Sequence, residues 1–529
     1  MAKAAEKYVL AIDLGTSGPK TALVSTRGEI IDSAFEANDL HLLPDGGAEQ
    51  DPQQWWRTIV RTARTVLARN AGAAGKVVAV SCSTQWSGTV AVDRAGRPLA
   101  NALIWLDSRG SDAIQNITDG WVKVEGYAVT KLFRWLRLTG GAPGRSGKDP
   151  IAHILYLKTR CPEIYHSTYK FLEPKDYINY RLTGRFAASY DSIALHWVTD
   201  NRDIGKIVYD DRLIAMAGMD ADKLPDLKPA VEVLGPLQPS VAGQLGLPSD
   251  VSVVMGTPDV QAAAIGAGAV ADYQAHFYIG TSAWLTCHVP FKKTDALRGI
   301  ACLPAAVPGR YFVANEQETA GACLNYLRDK LFFPRDELYA GSVDNIYACF
   351  DRMAAGVPAG SRGVIFTPWL YGERTPIDDP YVRAAFYNQS LENTRADLVR
   401  AVFEGVAFNG RWLLEGVEKF VKRRLDPIRV IGGGATSEIW CQILADVWDR
   451  TICQVNQPIL ANVRGAGLLG SLALGYLTLS EIGDAVTIDR QYDPDPARKA
   501  FYDGRFRIFK EIYRRNRKIY KRLNRGGRG

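Results

Sequence analysis

Three short stretches of this 529-residue chain carry groups with chemistry among neighbours that do not explain them. The first is VVMGTPDVQAAAIGAG, residues 253–268, where Asp259 is the single charged residue. A carboxylate there can be the N-cap of a helix beginning at Val260, accepting an orphan backbone N–H. It can also be a general base at the rim of a cleft, within reach of the proton it takes. The second is a pair of elbows, Gly15-Thr16-Ser17 and Gly280-Thr281-Ser282, each between two apolar runs. Such turns aim consecutive backbone N–H groups and two hydroxyls at one point, a concavity suited to phosphate, and glycine permits the close approach. Asp13 precedes the first elbow; beside phosphate a carboxylate makes sense as a partner of Mg²⁺ or its waters. Lys20 comes after the elbow and can neutralise phosphate charge or lie exposed. The third stretch, IRVIGGGATSEIWCQILADVWD, sets Gly432, Gly433, Gly434 and Ala435 between a strand and a helix from about Ser437. A flat ring or a phosphate can approach such a backbone closely; a tight helix entry would also need these glycines.

GAGLLG at 465–470 matches a dinucleotide fingerprint, but QPILANVR before it is no apolar strand. Small residues at a helix–helix contact explain it better. The eight cysteines (82, 161, 287, 302, 323, 349, 441, 453) contain no C-x-x-C pair and read as reduced thiols of a cytoplasmic protein. The six histidines have no metal-ligand spacing.

Pattern also gives the elements that must position these groups. YVLAIDLGTSGPKTALVSTRGEII reads as a β-hairpin with a glycine-rich elbow. AEQDPQQWWRTIVRTARTVLARN reads as a helix to about Asn70, with Asp51 as N-cap, Pro52 at the first position and Gln54 three residues after the cap. KVVAVSCSTQ is a buried strand, and PIAHILYLKTR an amphipathic helix. Residues 225–250, rich in proline and glycine, suggest a domain boundary, giving domains 1–250 and 251–529. HFYIGTSAWLTCHV then repeats the opening pattern of strand, Gly-Thr-Ser elbow and returning strand about 265 residues on. Two such halves suggest duplicated α/β domains facing each other across a cleft.

The formal charge of +7 hints at nucleic acid until it is located. From Arg498 onward there are 13 Lys or Arg against 2 Asp or Glu; removing that +11 leaves the body at −4. Phe506, Phe509, Ile512, Tyr513, Asn516, Ile519, Tyr520 and Leu523 recur at helical spacing there, predicting a terminal helix docked by an apolar stripe with a basic outer face. Neither a nucleic-acid partner nor a membrane is expected, and no signal peptide or run of about 18 apolar residues occurs.

Seven stretches in order resemble the FGGY carbohydrate kinases, and within them the xylulokinases: AIDLGTSGPK, AEQDPQQWW, ALIWLDSR, PDVQAAAIGAGAV, YIGTSAW, ADLVRAVFEGVAF and IGGGATSEIWCQILADV. The resemblance implies two ribonuclease-H-like domains of the actin and hexokinase type. It makes Asp259 the catalytic base that also meets the substrate. It sets Asp13, Gly15, Thr16, Ser17 and Lys20 at the ATP phosphates, with Asp13 toward Mg²⁺. Gly280, Thr281 and Ser282 become the second phosphate loop, and Gly433, Gly434 and Ala435 border the adenosine. Gln85, Trp86 and Ser87, with Asp107, fall in the sugar-contacting segment. A small-molecule sugar or polyol is the expected partner, with homodimerisation open.

Several positions depart from the family pattern. Gln85-Trp86-Ser87-Gly88 stands where xylulokinases usually have Gln-Met-His-Gly; His153 replaces a lysine and Asn388 a glycine. The segment LRLTGGAPGRSGKDP has no place in the usual pattern. Fold and ATP chemistry are untouched by these changes, but the sugar is not. The expected reaction is phosphoryl transfer to a ketopentose, D-xylulose first, with ribulose, glycerol, erythritol or another polyol as alternatives. An actin-like ATP-binding switch is the reading from another class.

Overall fold

The computed structural model describes residues 6–333 and 343–525. The opening hairpin forms β1 (Tyr8–Gly15) and β2 (Gly18–Ser25), followed by β3 (Ile30–Phe35). Helix α1 (Pro52–Arg69) starts as expected, with Asp51 accepting from Gln53 N at 2.8 Å. Gln54 does not close a capping box; its amide reaches Asp39 instead. The buried strand is β4 (Val77–Thr84), and α2 (Pro150–Arg160) and α3 (Pro174–Thr183) come next. The first sheet is completed by β5 (Val233–Pro236) and β6 (Ser252–Pro258), in the order β5-β6-β4-β1-β2-β3. Strands β6, β4 and β1 run parallel; the edges are antiparallel.

This sheet corrects the boundary at 250. Strand β6 is an inner strand of the first domain, hydrogen-bonded between β4 and β5, so the first domain continues past Pro258. Asp259 therefore begins a helix at the end of a first-domain strand, not inside the second domain.

The second sheet holds β7 (Ala275–Ile279), β8 (Ala283–Thr286), β9 (Ile428–Ile431), β10 (Ile452–Val455) and β11 (Ile488–Tyr492), in the order β8-β7-β9-β10-β11. It repeats the first: a hairpin, two further parallel strands, and an antiparallel edge. Two things differ: the antiparallel edge strand precedes the last parallel strand in one domain and follows it in the other, and β3, paired to β2, has no counterpart in the second sheet.

Alternation along β1 assigns its two faces. Leu10, Ile12 and Leu14 join Trp55, Ile59, Ala63 and Val66 of α1 in one core. Val9, Ala11 and Asp13 lie on the opposite face, where Ala11, Ala22 and Val24 pack against Val463 and Ala466. Those two residues belong to α7 (Ala461–Ala473), which also packs along α4 (Asp259–Gly266). In the second domain, α5 (Arg395–Val421) and α6 (Glu438–Trp448) cover the other face of β7 through Gly410 and Trp448, which meet Phe277. The glycines of GAGLLG are helix-contact residues, as their sequence context suggested: Gly465 meets Ala262 and Gly467 meets Val24. The basic tail forms α8 (Pro496–Asn524), docked by Tyr502, Phe506, Phe509 and Tyr520. No helix among the described residues is long and apolar enough to cross a membrane.

Candidate active site

Asp259 owes its position to an irregular strand end. Gly256 has φ +73°, and a Cβ there would collide with the Cys82 carbonyl. The register of β6 against β4 shifts between Val254 and Thr257, a bulge that re-aims the residues beyond it. Buried polar groups pin it: Lys175 Nζ and Asn179 Nδ2 donate to Met255 O at 3.2 and 2.6 Å, and Thr257 Oγ1 donates to Asp191. The N-cap is Pro258 and Asp259 takes the first helical position. One carboxylate oxygen accepts Val260 N at 2.8 Å, so Asp259 satisfies a first-turn N–H from the first helical position and not as the expected N-cap of a helix beginning at Val260.

Asp259 is half-buried, and burial together with the Asp13 carboxylate pushes its acid up to about 7, against the Val260 N–H bond. Asp13 is 6% exposed; burial raises it, while Lys20, its cross-strand partner, lowers it. Asp13 Oδ1 is buried without a hydrogen-bond partner among the described residues. Mg²⁺ takes one or two carboxylates plus phosphate oxygens and water. An orphaned oxygen beside a phosphate elbow fits that donor set. Lys20 Nζ reaches Ile459 O at 3.4 Å, on the α7 side of the sheet.

Burial, Asp259 and Asp13 all push up the phenol of Tyr278, two residues before the second elbow. Ser17 and Thr281 are exposed, while Gly15, Thr16, Gly280 and Ser282 are half-exposed. Gly433 is exposed and Gly434 half-exposed at the helix entry, whose Ser437 caps α6. Ala435 is the exception among the residues expected to border adenosine. It is fully buried, with its carbonyl accepting from Gln454 Nε2, so it shapes the turn from beneath and borders nothing.

The sugar segment also divides. Trp86 is half-buried, its ring 6.0 Å from Phe312 of the second domain. Trp86, Trp197, Val260, Phe312 and Ala314 share one apolar cluster spanning both domains. Ser87, held at φ +66°, donates to Lys148 O at 2.9 Å. Gln85 is buried and bonded to Gln50 and Thr16, tying the sugar loop to the first elbow. Asp107 corrects an expectation: it is 0% exposed, its oxygens taken by Arg109 and Ala48 N. A carboxylate so engaged supports the wall and does not contact substrate.

The departures acquire positions. His153 is buried between Thr89 Oγ1 at 3.2 Å and Asp107 O at 3.3 Å. Asn388 occupies a left-handed turn (φ +64°), which asparagine tolerates where glycine is usual. Segment 137–150 lies at the domain junction: Lys292 Nζ donates to Leu136 O and Arg137 O, and Thr294 Oγ1 to Gly140 O. Asp149, at its end, accepts from Trp197 Nε1 at 2.8 Å. Sequence reasoning missed Glu316, Glu318 and Arg374, an ion-paired group on the second-domain side. No motif marks them, because they meet only through tertiary contacts.

Two duplicated α/β domains, each opening on a hairpin with a Gly-Thr-Ser elbow, have the architecture of sugar kinases of the actin and hexokinase fold. Residues 8–266 match the N-terminal domain and 276–475 the C-terminal domain of the FGGY family of carbohydrate kinases. The chain belongs to that family and is a phosphotransferase acting on an alcohol group. It is 29% identical to the xylulose kinase of Staphylococcus epidermidis (strain ATCC 12228), covering 97% of this chain and 98% of that one. Two solved structures from Lactobacillus acidophilus, a gluconate kinase and a ligand-bound xylulose kinase, each superpose with a TM-score of 0.85 at 25% identity. Each covers 98% of this chain and 100% of its own. Kinases of this family take the phosphoryl group from ATP.

Proposed function

We propose that the protein transfers the γ-phosphoryl group of ATP to a hydroxyl of a ketopentose, D-xylulose first among candidates. The observation that carries the mechanism is Asp259, a half-buried carboxylate lifted toward neutrality beside Asp13 at the mouth of the cleft. In its ionised form Asp259 accepts the proton of the attacking hydroxyl, an effect worth about 10²–10⁴ in rate. Asp13 would hold Mg²⁺, which supplies charge neutralisation at the transferring group. Gly15 to Ser17 and Gly280 to Ser282 offer N–H groups and hydroxyls to the phosphates, with Lys20 alongside. Gly433 and Gly434 leave room for the adenosine. Trp86, in the apolar cluster between the domains, would wall the acceptor, while Ser87, buried and bonded to Lys148 O, would hold the loop's shape.

The similarity to both xylulose and gluconate kinases leaves two acceptor classes, neutral and anionic. Asp149, Glu316 and Glu318 around the interdomain apolar cluster, with Arg374 already paired to both glutamates, favour the neutral one. An aldonate would meet net negative charge and find a guanidinium whose Nε and Nη1 are already engaged. An ADP-release assay over D-xylulose, D-ribulose, glycerol, erythritol and D-gluconate tests the reading. D-xylulose should give the highest kcat/KM, and gluconate at most one hundredth of it. Preference for another acceptor overturns the assignment, and no response to any acceptor overturns the kinase reading of the site.

A further inference from the structure

The two elbows of the internal repeat differ at one position that chemistry cannot ignore. Two residues before Gly15 stands Asp13, and two before Gly280 stands Tyr278. The duplicated hairpins make these residues counterparts: each lies on the inner strand of its sheet, directly before the elbow. Alternation along β7 sends Phe277 and Ile279 into the second-domain core and turns Tyr278 to the opposite face. There it borders the same apolar cluster as Val260, the neighbour of Asp259, a cluster that includes Ala461 at the head of α7.

The Tyr278 ring is held flat in that place. It stacks on its cross-strand partner Trp284, with centroids 3.9 Å apart and planes 8° from parallel. A Cβ on Gly280 would collide with the ring and phenol oxygen, and one on Gly432 would come within 3.1 Å of it. Two loops thus meet on one aromatic ring: the second phosphate elbow and the glycine run at the adenosine side. Glycine is required at Gly280 and Gly432 for this side chain as well as for any ligand. Tyr278 is partly buried, and its phenol stays protonated at neutral pH, its acid pushed up to about 12 by burial and by Asp259 and Asp13.

We propose that Tyr278 is a nucleotide-contacting residue whose hydroxyl donates a hydrogen bond to the phosphate chain between the two glycine loops. The pairing is chemically complementary. On one side of the cleft Asp13 meets the phosphates through a cation, because a bare carboxylate repels them; on the other side a neutral donor can touch them directly. The Trp284 ring beneath fixes the phenol's direction, so little side-chain entropy is lost on binding. This inference rests on the nucleotide occupying the elbows as proposed above.

Tyr278→Phe removes the hydroxyl and keeps the stack. We expect kcat/KM for ATP to fall about 10-fold, with the acceptor KM within twofold of the parent and an unchanged melting temperature. Binding is read separately, from Trp284 fluorescence during ADP titration, with Trp284→Phe identifying the signal. The Kd for ADP should rise by a similar factor in Tyr278→Phe. Parental values for ATP and ADP in Tyr278→Phe overturn the inference, as does a change confined to the acceptor KM. Failure of the parent protein to bind ADP at all would instead overturn the nucleotide reading on which it rests.

Discussion

At the residue scale, the catalytic role proposed for Asp259 carries a cost to the fold. Its acid is raised to about 7, so below that pH the base is protonated and cannot accept the acceptor's proton. The kcat/KM for the sugar should therefore climb with pH and level off above about 7. The apparent value belongs to Asp259 and Asp13 together, since the two carboxylates interact. Stability runs the other way. Between about pH 4 and 7 the folded state holds a proton that the unfolded chain has released, so stability falls as pH rises through that window. Asp259→Asn should reduce turnover at least 10³-fold, on the order of a lost general base and its positioning, with nucleotide affinity nearly intact. Its melting temperature at pH 7.5 should equal or exceed the parent's. Parental turnover, or a much lower melting temperature, would remove Asp259 from its role.

At the element scale, α4 and α7 are the seam of the molecule. Asp259 heads one, and the other covers β1 and β2 on the face that carries Asp13. Backbones approach because small residues line the contact: Gly266 meets Ala461 and Gly465 meets Ala262, each without room for a Cβ. Gly465→Val should cost about 3 kcal/mol or more by overpacking and displace Asp259 with its helix. Gly504 in α8 has open space where a Cβ would go, so Gly504→Ala should gain about 0.5–1 kcal/mol from helix propensity. Chemical denaturation of both variants separates steric demand from intrinsic preference. Equal effects would mean that α7 does not pack this tightly. The α8 helix itself is anchored through its stripe and by Tyr502 Oη on Glu404 Oε1 at 2.9 Å.

At the scale of the whole molecule, the reacting groups come from two domains that touch at few polar points. Gln261 Nε2 donates to Pro304 O at 3.0 Å and Tyr311 Oη to Asn201 O at 2.8 Å. Lys292 and Thr294 hold segment 137–150, which had no place in the family pattern and here bridges the domains. A cleft of this kind excludes water when it closes. ATP hydrolysis without acceptor should run at least 100-fold slower than transfer to the best sugar. Nucleotide and sugar together should stabilise the protein by more than the sum of the two alone, each of which contributes about 2.7 kcal/mol at 100 times its Kd. Additive or smaller joint stabilisation would argue against coupled closure.

The chain order of motifs determined a great deal by itself. The elbow repeat marked duplicated domains, because a Gly-Thr-Ser turn between strands is a local feature written in consecutive residues. Asp13, Asp259 and the glycine loops were legible for the same reason. Tyr278 was legible too, one comparison of IDLGTS with FYIGTS away. Tertiary structure alone decided matters of sheet membership and partners. Strand β6 looked like the start of a second domain after a proline-rich stretch, yet its hydrogen bonds put it inside the first sheet. Asp107 looked like a sugar contact until Arg109 and Ala48 N took its oxygens. Ala435 sank beneath its turn, while Glu316, Glu318 and Arg374 converged from segments nearly 60 residues apart. Local sequence fixes which groups can do chemistry; long-range pairing, which no short pattern encodes, fixes which of them are free to do it.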